Sequence, residues 1–474
     1  MALVFVLHGV LNADEGFYLA ASHLVSQGHR LYHDFGYTQG PVFPYANLPW
    51  LELFGHTLAG QRLAGLAWTL LTVVLGSLGL RRHHSWPAAV IYVLLLLGAP
   101  VWLAFAVKGK TYAFAALAVL GGIWSVQSAR SWRLRWTIFI LAAAAGTGAR
   151  LPLAGFFLPA FIGLLALTPG WLARLTAAAG IVAVATAVVF AAAFPNLDNF
   201  LFWTAGFHRD SSFYIPVWTH FWDCLRFAPV LWIAVLVHGW TLRYRHELQS
   251  SRTIGIGLNQ QRVVLVSLAI ALLSNLSAST TYAEYIFPFI PGAAFVAAPV
   301  LAVWLSAHSR IVSGLVILAI VGAGWNYLPE FSPNVLVHAG QAEAFLRGSV
   351  PPGAVVAASM PEIPIGAGAQ LPRWMAMGKF GVTEDFPPEL ASQRGMITPA
   401  ALQAMLLDPA TRALVCSPSY NWNFFWSLPS YRTLSTQARE SIFTMIRRQY
   451  VVRFINEEYV VYLRRAENQT SGEP

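Results

Sequence analysis

The chain has 474 residues, of which 56% are apolar and only 11% charged, and its mean hydropathy is +0.55. Because soluble globular proteins carry roughly a quarter charged residues, this composition excludes an ordinary cytosolic, fibrous or disordered chain and indicates a membrane protein. The net charge of +9 arises entirely within residues 1–329, which hold 18 Lys and Arg against 9 Asp and Glu, whereas residues 330–474 hold 12 of each. Basic cytoplasmic loops explain this excess, so it does not indicate a nucleic-acid partner.

Apolar segments close to the thickness of a bilayer recur along the chain. A transmembrane helix needs about 20 apolar residues at a rise of about 1.5 Å per residue. The segments cover residues 58–80, 86–107, 111–128, 136–149, 152–169, 173–194, 228–242, 262–278, 285–305 and 311–328. With an apolar stretch before Asp14, they predict a polytopic α-helical protein of about eleven transmembrane helices. That first stretch of 13 residues is short for a span, so we expect an incomplete first helix or a natural start further upstream.

The charges of the connecting segments alternate along the chain. The basic connections contain Arg81, Arg82, Arg130, Arg133, Arg135, Arg174, Arg243, Arg245 and Arg310, and the others contain Asp14, Glu15, Asp34, Asp198, Asp210, Asp223 and Glu284. The positive-inside rule places the basic set in the cytoplasm. This predicts a multi-pass protein with a cytoplasmic N-terminus and an extracytoplasmic C-terminal region, and we favour a bacterial inner membrane over the endoplasmic reticulum.

The composition changes at about residue 330, where prolines and short apolar runs replace the long apolar segments. The β-branched and aromatic runs 450–454 and 459–463 flank a polar turn, which is typical of a hairpin, and residues 434–448 have helical spacing. We therefore predict a transmembrane domain at 1–329 and a small extracytoplasmic α/β or α+β domain at 330–474.

The first outward loop, at about 14–45, holds the most informative residues. The acidic pair Asp14 and Glu15 follows the first helix, and apolar residues between Glu15 and Tyr32 fall near helical spacing, as in an amphipathic helix on a membrane surface. Carboxylates at the end of a transmembrane helix are costly near lipid, which favours a function. A simple role in capping and solvating the helix end is the alternative.

An ordered set of motifs resembles a known family. The set comprises Asp14-Glu15, Gly28 with Leu31-Tyr32-His33-Asp34-Phe35, Gly40-Pro41, Leu53-Phe54-Gly55, Arg62-Leu63 and Tyr282-Ala283-Glu284-Tyr285. It resembles the GT-C glycosyltransferases, especially the family-39-like enzymes related to protein O-mannosyltransferases and the lipid A aminoarabinose transferase. The motifs cover about 1–70 and 280–292. The resemblance implies many transmembrane helices, a catalytic first outward loop and an outward C-terminal domain.

The resemblance also implies a reaction, in which a hexosyl or pentosyl unit passes from a polyprenyl-phosphate donor to a hydroxyl of a lipid, glycan or protein. A phosphate leaving group needs no general acid, so such an enzyme needs a base for the acceptor and positive charge for the phosphate. Asp14 matches the family's catalytic carboxylate and is assigned the base. Glu15 and Asp34 are expected to orient the acceptor or to tune Asp14. Asp14 and Asp34 are the candidates for holding a divalent cation, although the sequence specifies no cofactor.

Basic residues at outward helix ends are the candidates for binding the donor phosphate. Lys108 and Lys110 share one turn and are the only lysines in the first 378 residues, and Arg150 lies at the next outward turn. His208 and Arg209 are weaker candidates in the loop 195–227. Anchoring of helix ends by snorkelling is the alternative for these cations.

Tyr282, Glu284 and Tyr285 are candidates for contacting the sugar or acceptor, and capping of the next helix is the alternative for Glu284. A lipid or sugar transporter or flippase is the second hypothesis for the whole chain, but it predicts ionisable residues within the spans and inverted repeats. Here the carboxylates cluster on one face and no repeat is visible. A non-catalytic membrane subunit with a partner-binding tail is the third hypothesis.

Overall fold

The computed structural model describes residues 2–12, 14–128, 131–194, 196–207, 222, 233, 236, 258–276, 283–307, 309–325, 334–418 and 434–465. The chain forms two compact units. Unit 1 comprises residues 1–5, 65–189 and 215–331, and unit 2 comprises residues 6–64, 190–214 and 332–474. The boundary predicted at 329/330 therefore differs from this division, in which the first outward loop shares a unit with the C-terminal region.

The described elements are mostly helical. The α-helices are α1 (Ala2–His8), α2 (Asp14–Ser26), α3 (Val42–Phe54), α4 (Leu58–His83), α5 (Trp86–Leu97), α6 (Pro100–Phe105), α7 (Tyr112–Ser128), α8 (Trp132–Ala149), α9 (Ala154–Leu167), α10 (Trp171–Ala193), α11 (Leu197–Leu201), α12 (Leu258–Leu276), α13 (Ile290–Ser306), α14 (Arg310–Trp325), α15 (Val335–Ser349), α16 (Glu362–Ala367), α17 (Pro388–Gln393), α18 (Pro399–Leu407) and α19 (Thr436–Gln449). Short 3₁₀ segments cover Leu151–Leu153, Ala283–Phe289 and Arg373–Gly381, and a π-helical turn covers Phe202–Gly206. The strands are β1 (Val355–Ala358), β2 (Thr411–Cys416), β3 (Tyr450–Ile455) and β4 (Val460–Arg464).

Unit 1 is built from apolar helices, two of which begin at a serine N-cap. Ser85 and Ser131 cap α5 and α8, with each hydroxyl accepting a hydrogen bond from a backbone N–H three residues on. Glycines allow α7, α8 and α9 to approach closely, since a Cβ at Gly122 or Gly146 would lie 2.9 or 2.5 Å from the ring of Phe157. The core of the unit is therefore packed from small residues on one helix against rings on another.

Three of the described helices are long and apolar enough to cross a membrane: Leu58–His83, Trp171–Ala191 and Glu284–Ser306. Each predicted apolar segment that the structure describes is helical, although 86–107 is divided into α5 and α6 around Gly98 and Ala99. The segment 228–242 lies largely outside the described residues. The helical character of this integral membrane protein is thus confirmed, and the count of about eleven spans and the orientation stay predictions.

The C-terminal part of unit 2 contains a mixed four-stranded sheet in the order β1-β2-β4-β3. β1 and β2 are parallel, and the hairpin of β3 and β4 adds antiparallel to β2. The antiparallel pairing of β3 and β4 confirms the predicted hairpin. The side chain of Asn456 accepts hydrogen bonds from the backbone N–H groups of Glu458 and Tyr459 and so closes the turn. The predicted helix at 434–448 is confirmed as α19, which Ser435 caps.

The helix predicted in the first outward loop is present as α2, but its setting differs from the expected one. Ten of its 13 residues are buried, including Glu15, Gly16 and Phe17. It packs within unit 2 against α3, α16 and the 3₁₀ segment Arg373–Gly381. The expectation of an amphipathic helix lying on a membrane surface is therefore wrong, because protein covers both its apolar and its small-residue faces.

Candidate active site

The acidic pair begins α2, where a reciprocal cap fixes both residues. The Asn12 side chain accepts a hydrogen bond of 3.0 Å from the backbone N–H of Asp14, and the Asn12 N–H donates to Glu15 Oε2 over 3.1 Å. This exchange is a capping box, which satisfies orphan donors at a helix start. Asp14 is half-buried and Glu15 is fully buried. The two adjacent carboxylates therefore occupy different environments.

Glu15 forms a bidentate ion pair with Arg62 at the start of α4. Arg62 Nε and Nη2 donate to Glu15 Oε1 and Oε2, each over 2.9 Å, and both side chains are at most 1% exposed. The same guanidinium donates to the backbone carbonyl oxygens of Val6, Gly9 and Val10. A guanidinium has five N–H donors, and these contacts use all five. Arg62 thus fixes the segment that leads into Asp14.

Asp34 lies in a tight bend that the predicted Leu-Tyr-x-Asp-Phe motif forms. Tyr32 is buried with a φ of +61°, and its N–H donates to the carbonyl oxygen of Phe35 over 2.9 Å, which closes the bend. Burial alone would raise the pKa of Asp34. Hydrogen bonds from the Arg30 N–H and the His33 side chain, with the charges of His33 and Arg373, outweigh burial and lower that pKa. Asp34 therefore belongs to a polar cluster of its own, built within unit 2.

A second buried carboxyl group, which the sequence did not indicate, lies against α2. Glu362 is 1% exposed, and its Oε1 accepts a hydrogen bond of 3.2 Å from the Tyr459 hydroxyl. Its Oε2 lies where a Cβ on Gly16 would stand, at 2.1 Å. Burial, followed by the charges of Glu15 and Glu343, raises the pKa of Glu362 to about 8 despite the Tyr459 hydrogen bond.

Unit 1 gathers the basic residues that the sequence predicts to bind phosphate. Lys108, Lys110 and Arg150 are each at most 5% exposed. Lys110 Nζ lies 2.9 Å from Glu284 Oε1, and the Tyr112 hydroxyl donates to the same oxygen over 3.2 Å. Three cations buried in one place concentrate positive charge, which suits an anionic ligand.

Aromatic rings hold these cations. The Arg150 guanidinium carbon lies 4.5 Å from the Tyr112 ring centroid and 4.9 Å from that of Tyr285, while Arg150 Nη1 donates to Thr111 Oγ1 over 3.1 Å. Lys108 Nζ lies 4.2 Å from the Phe105 ring centroid. Cation–π contacts of this kind attract and orient a cation at a desolvated site. We call Lys108, Lys110, Arg150, Glu284 and Tyr285 the basic cluster.

Within each unit, the structure brings together one group of the residues that the sequence predicts for the site. Five predicted residues form the basic cluster, and Asp14 and Glu15 adjoin each other at the start of α2. Asp34 has its own contacts, and the candidates His208, Arg209 and Tyr282 lie outside the described residues. Within the described part of the chain, no group of three or more His, Cys, Asp or Glu side chains is arranged to hold a metal ion.

Arg62, Glu362 and Tyr459 are the residues that sequence reasoning missed. Arg62 stood in the Arg-Leu motif of the family resemblance without a role, and its position at a helix start after an outward loop is the signal that could have indicated its pairing with Glu15. Glu362 and Tyr459 carried no usable signal, because an acidic residue after proline and a tyrosine before a strand are ordinary surface patterns.

Comparison with solved structures identifies the fold. No protein-family model matches the sequence, and no curated protein matches it significantly. The crystal structure of ArnT from Cupriavidus metallidurans bound to undecaprenyl phosphate matches with a TM-score of 0.64 and 14% identity over 100% of this chain and 98% of that one. The apo structure of the same protein gives a TM-score of 0.63 and 15% identity over 97% and 96%. The predicted resemblance to the GT-C glycosyltransferases is confirmed at the level of the fold.

Proposed function

We propose that this protein is a membrane glycosyltransferase that moves a sugar from a polyprenyl-phosphate donor to an acceptor hydroxyl on the extracytoplasmic face. The observation that carries the proposal is the basic cluster, in which three buried cations lie beside aromatic rings and Lys110 pairs with Glu284. Such an arrangement suits a phosphate group. The ArnT structure with the same fold contains undecaprenyl phosphate, which supports a polyprenyl phosphate as the lipid.

The cluster would act on the departing phosphate. As the bond between the anomeric carbon and the phosphate oxygen breaks, its electron pair moves to that oxygen, and the negative charge grows. Lys108, Lys110 and Arg150 are pre-arranged cations that would stabilise this charge in a water-poor place, where electrostatic effects are largest. Glu284 would hold Lys110 in position before the donor binds, and the Tyr285 ring would help to orient the guanidinium of Arg150.

Asp14 would act as the base. The acceptor hydroxyl oxygen forms the new bond to the anomeric carbon, and its proton passes to a carboxylate oxygen of Asp14. The capping box and the Glu15–Arg62 ion pair would hold Asp14 in place, since a general base must lie within hydrogen-bond reach of its proton. The acceptor is a lipid, a glycan or a protein, and the donated unit is a hexose or a pentose.

The test uses purified full-length protein in lipid nanodiscs and a panel of radiolabelled polyprenyl-phosphate sugars, with release of free polyprenyl phosphate as the readout. We expect release by the wild type, and a loss of about 10³-fold or more for Asp14→Asn, because the amide keeps the shape but cannot accept the proton. Asp198→Asn is the matched control, because Asp198 is an exposed acidic residue that also lies in the first turn of a unit 2 helix. Transport of the lipid without bond cleavage would instead support the transporter hypothesis, and equal activity of Asp14→Asn would remove Asp14 from the mechanism.

A further inference from the structure

A row of buried carboxyl groups extends through unit 2 beside the start of α2. Glu15, Glu362 and Glu343 are 0%, 1% and 9% exposed. Two of them lie against glycines. A Cβ at Gly16 would stand 2.1 Å from Glu362 Oε2, and a Cβ at Gly366 would stand 2.3 Å from the carboxyl carbon of Glu343. A Cβ at either position would displace the carboxyl group, so the two glycines leave the space that these carboxyl groups fill.

Glu362 is the member of this row with the least compensation. Its Oε2 is buried without a hydrogen-bond partner, while Oε1 accepts from Tyr459. The charge of Arg62 is shared with Glu15, and all five of its donors are used elsewhere. A buried carboxylate without a neighbouring cation is less favourable than the neutral acid. The contacts therefore favour a proton on Glu362.

Each titratable group that faces Glu362 either opposes its ionisation by repulsion or forms a hydrogen bond with it. They are Glu15 on α2, Glu343 on α15 and Tyr459 before β4. Burial is the main cause that raises the pKa of Glu362 to about 8, and burial raises the pKa of Glu343 to about 7, with Arg347 acting in the opposite direction. Glu362 is thus neutral at pH 7 and ionises in an accessible alkaline range.

We propose that Glu362 is a positioning residue for Asp14: its neutral carboxyl group fills the space beside Gly16 and seats the first turn of α2, and its ionisation displaces that turn. The proposal rests on the role of Asp14 in the proposed function. The displacement follows because a charge on Glu362 would lie against the backbone of Gly16 and beside the carboxylate of Glu15, and repulsion and hydration would both move it away from α2. Transfer would therefore stop at alkaline pH.

The first experiment compares pH profiles of kcat for the wild type and Glu362→Gln. Glutamine has the shape of the neutral acid but cannot ionise. We expect the kcat of the wild type to fall about tenfold per pH unit above pH 8, as for loss of one essential proton. Glu362→Gln should match the wild type at pH 6.5 and lack this fall. Glu389→Gln is the control, because Glu389 is an exposed glutamate of unit 2, and it should keep the wild-type profile.

Tyr459→Phe provides a second variant. The Tyr459 hydrogen bond favours the ionised form of Glu362, so its removal should move the alkaline fall to higher pH. An unchanged fall in both Glu362→Gln and Tyr459→Phe would overturn the proposal.

Hydrogen exchange tests the displacement without any need for transferase activity. Protection factors of the backbone amides of residues 14–18 should drop between pH 7 and pH 9.5 in the wild type but not in Glu362→Gln. Protection that is constant in both proteins would overturn the proposal, whatever the outcome of the transfer assay. Conversely, a pH-dependent loss of protection in a protein that transfers no sugar would show that the device exists and that the proposed function has failed.

Unfolding gives a further check with a definite sign. Because the pKa of Glu362 in the fold, about 8, exceeds its ordinary value of 4.5, the unfolded chain releases this proton at lower pH than the folded protein does. The contribution of Glu362 to the free energy of unfolding therefore decreases as the pH rises from 4.5 to about 8 and is constant above that. The apparent Tm of the wild type should fall relative to that of Glu362→Gln across this window, and parallel curves would contradict a neutral Glu362.

Discussion

The two units use buried arginines in opposite ways. Arg62 in unit 2 donates to both oxygens of Glu15 and to three backbone carbonyl groups, so every one of its donors has a protein partner. Arg150 in unit 1 lies between two tyrosine rings and donates to one threonine hydroxyl. The first arrangement is typical of a structural clamp. The second places the guanidinium against aromatic rings, in cation–π contacts.

Burial alone does not distinguish the two arginines. Both arginines are at most 5% exposed, and both lie near the end of a helix in the sequence. They differ in the contacts that the structure gives them. A carboxylate and three carbonyl oxygens use every donor of Arg62, whereas Arg150 lies against two tyrosine faces, as we propose for a cation that binds the donor phosphate. The following substitutions test this comparison.

The largest effect is expected for Arg62→Ala. It leaves Glu15 buried without its counter-ion and three carbonyl groups without donors, and breaking a buried ion pair costs about 3–5 kcal/mol. We expect a marked fall in the Tm of the protein in nanodiscs, together with loss of transfer. The matched control is Arg82→Ala, because Arg82 is exposed near the other end of the same helix and should change the Tm little. Equal Tm values for the two variants would show that the Glu15–Arg62 pair is not a clamp.

A substitution of Arg150 should affect binding more than stability. Arg150→Lys keeps the charge but loses the planar contacts with Tyr112 and Tyr285, each worth about 0.5–2 kcal/mol, and the fork that would grip a phosphate. We expect polyprenyl phosphate to bind about tenfold more weakly, as measured by fluorescence titration in nanodiscs. Arg133→Lys is the control, because Arg133 is an exposed arginine stacked on the single ring of Trp132. Unchanged affinity in Arg150→Lys would place the phosphate elsewhere.

The two arginines also show which features of the structure could be predicted from the sequence. Lys108, Lys110 and Arg150 stand out in the sequence because lysines are almost absent and the outward loops hold few cations, so the basic cluster could be predicted. The helices and the β3–β4 hairpin could also be predicted, because their apolar periodicity is local. The pairing of Arg62 with Glu15 and the contact of Glu362 with Gly16 could not be predicted. They join residues far apart in sequence, and tertiary packing alone decides them.

Substitution of Glu284 should change phosphate affinity in the opposite direction from Arg150→Lys. Glu284→Gln removes the carboxylate that compensates Lys110 while keeping a side chain of the same size. We expect polyprenyl phosphate to bind roughly threefold to tenfold more tightly at low salt, and the gain to shrink as ionic strength rises. Glu52→Gln serves as the control, since the Glu52 side chain is 66% exposed. Weaker binding would mean that Glu284 orients Lys110 more than it opposes the ligand.

The smallest effect is expected for Asp34, whose contacts are the most exposed among the acidic candidates. Its carboxylate lies 3.5 Å from the Arg373 guanidinium, which is 54% exposed, and surface pairs of this kind contribute about 1 kcal/mol or less. Because its pKa is lowered in the fold, Asp34 stabilises the protein above its ordinary pKa of 3.8, and this contribution is lost as the pH falls through the lowered value. The Tm of Asp34→Asn should therefore lie slightly below that of the wild type at pH 7 and approach it in acid.

We also expect Asp34→Asn to retain measurable transfer, because the oxygens of Asp34 are already engaged by Arg30, His33 and Arg373. A loss of transfer as complete as that of Asp14→Asn, at an unchanged Tm, would assign Asp34 to the reacting groups and place a second carboxylate beside the acceptor.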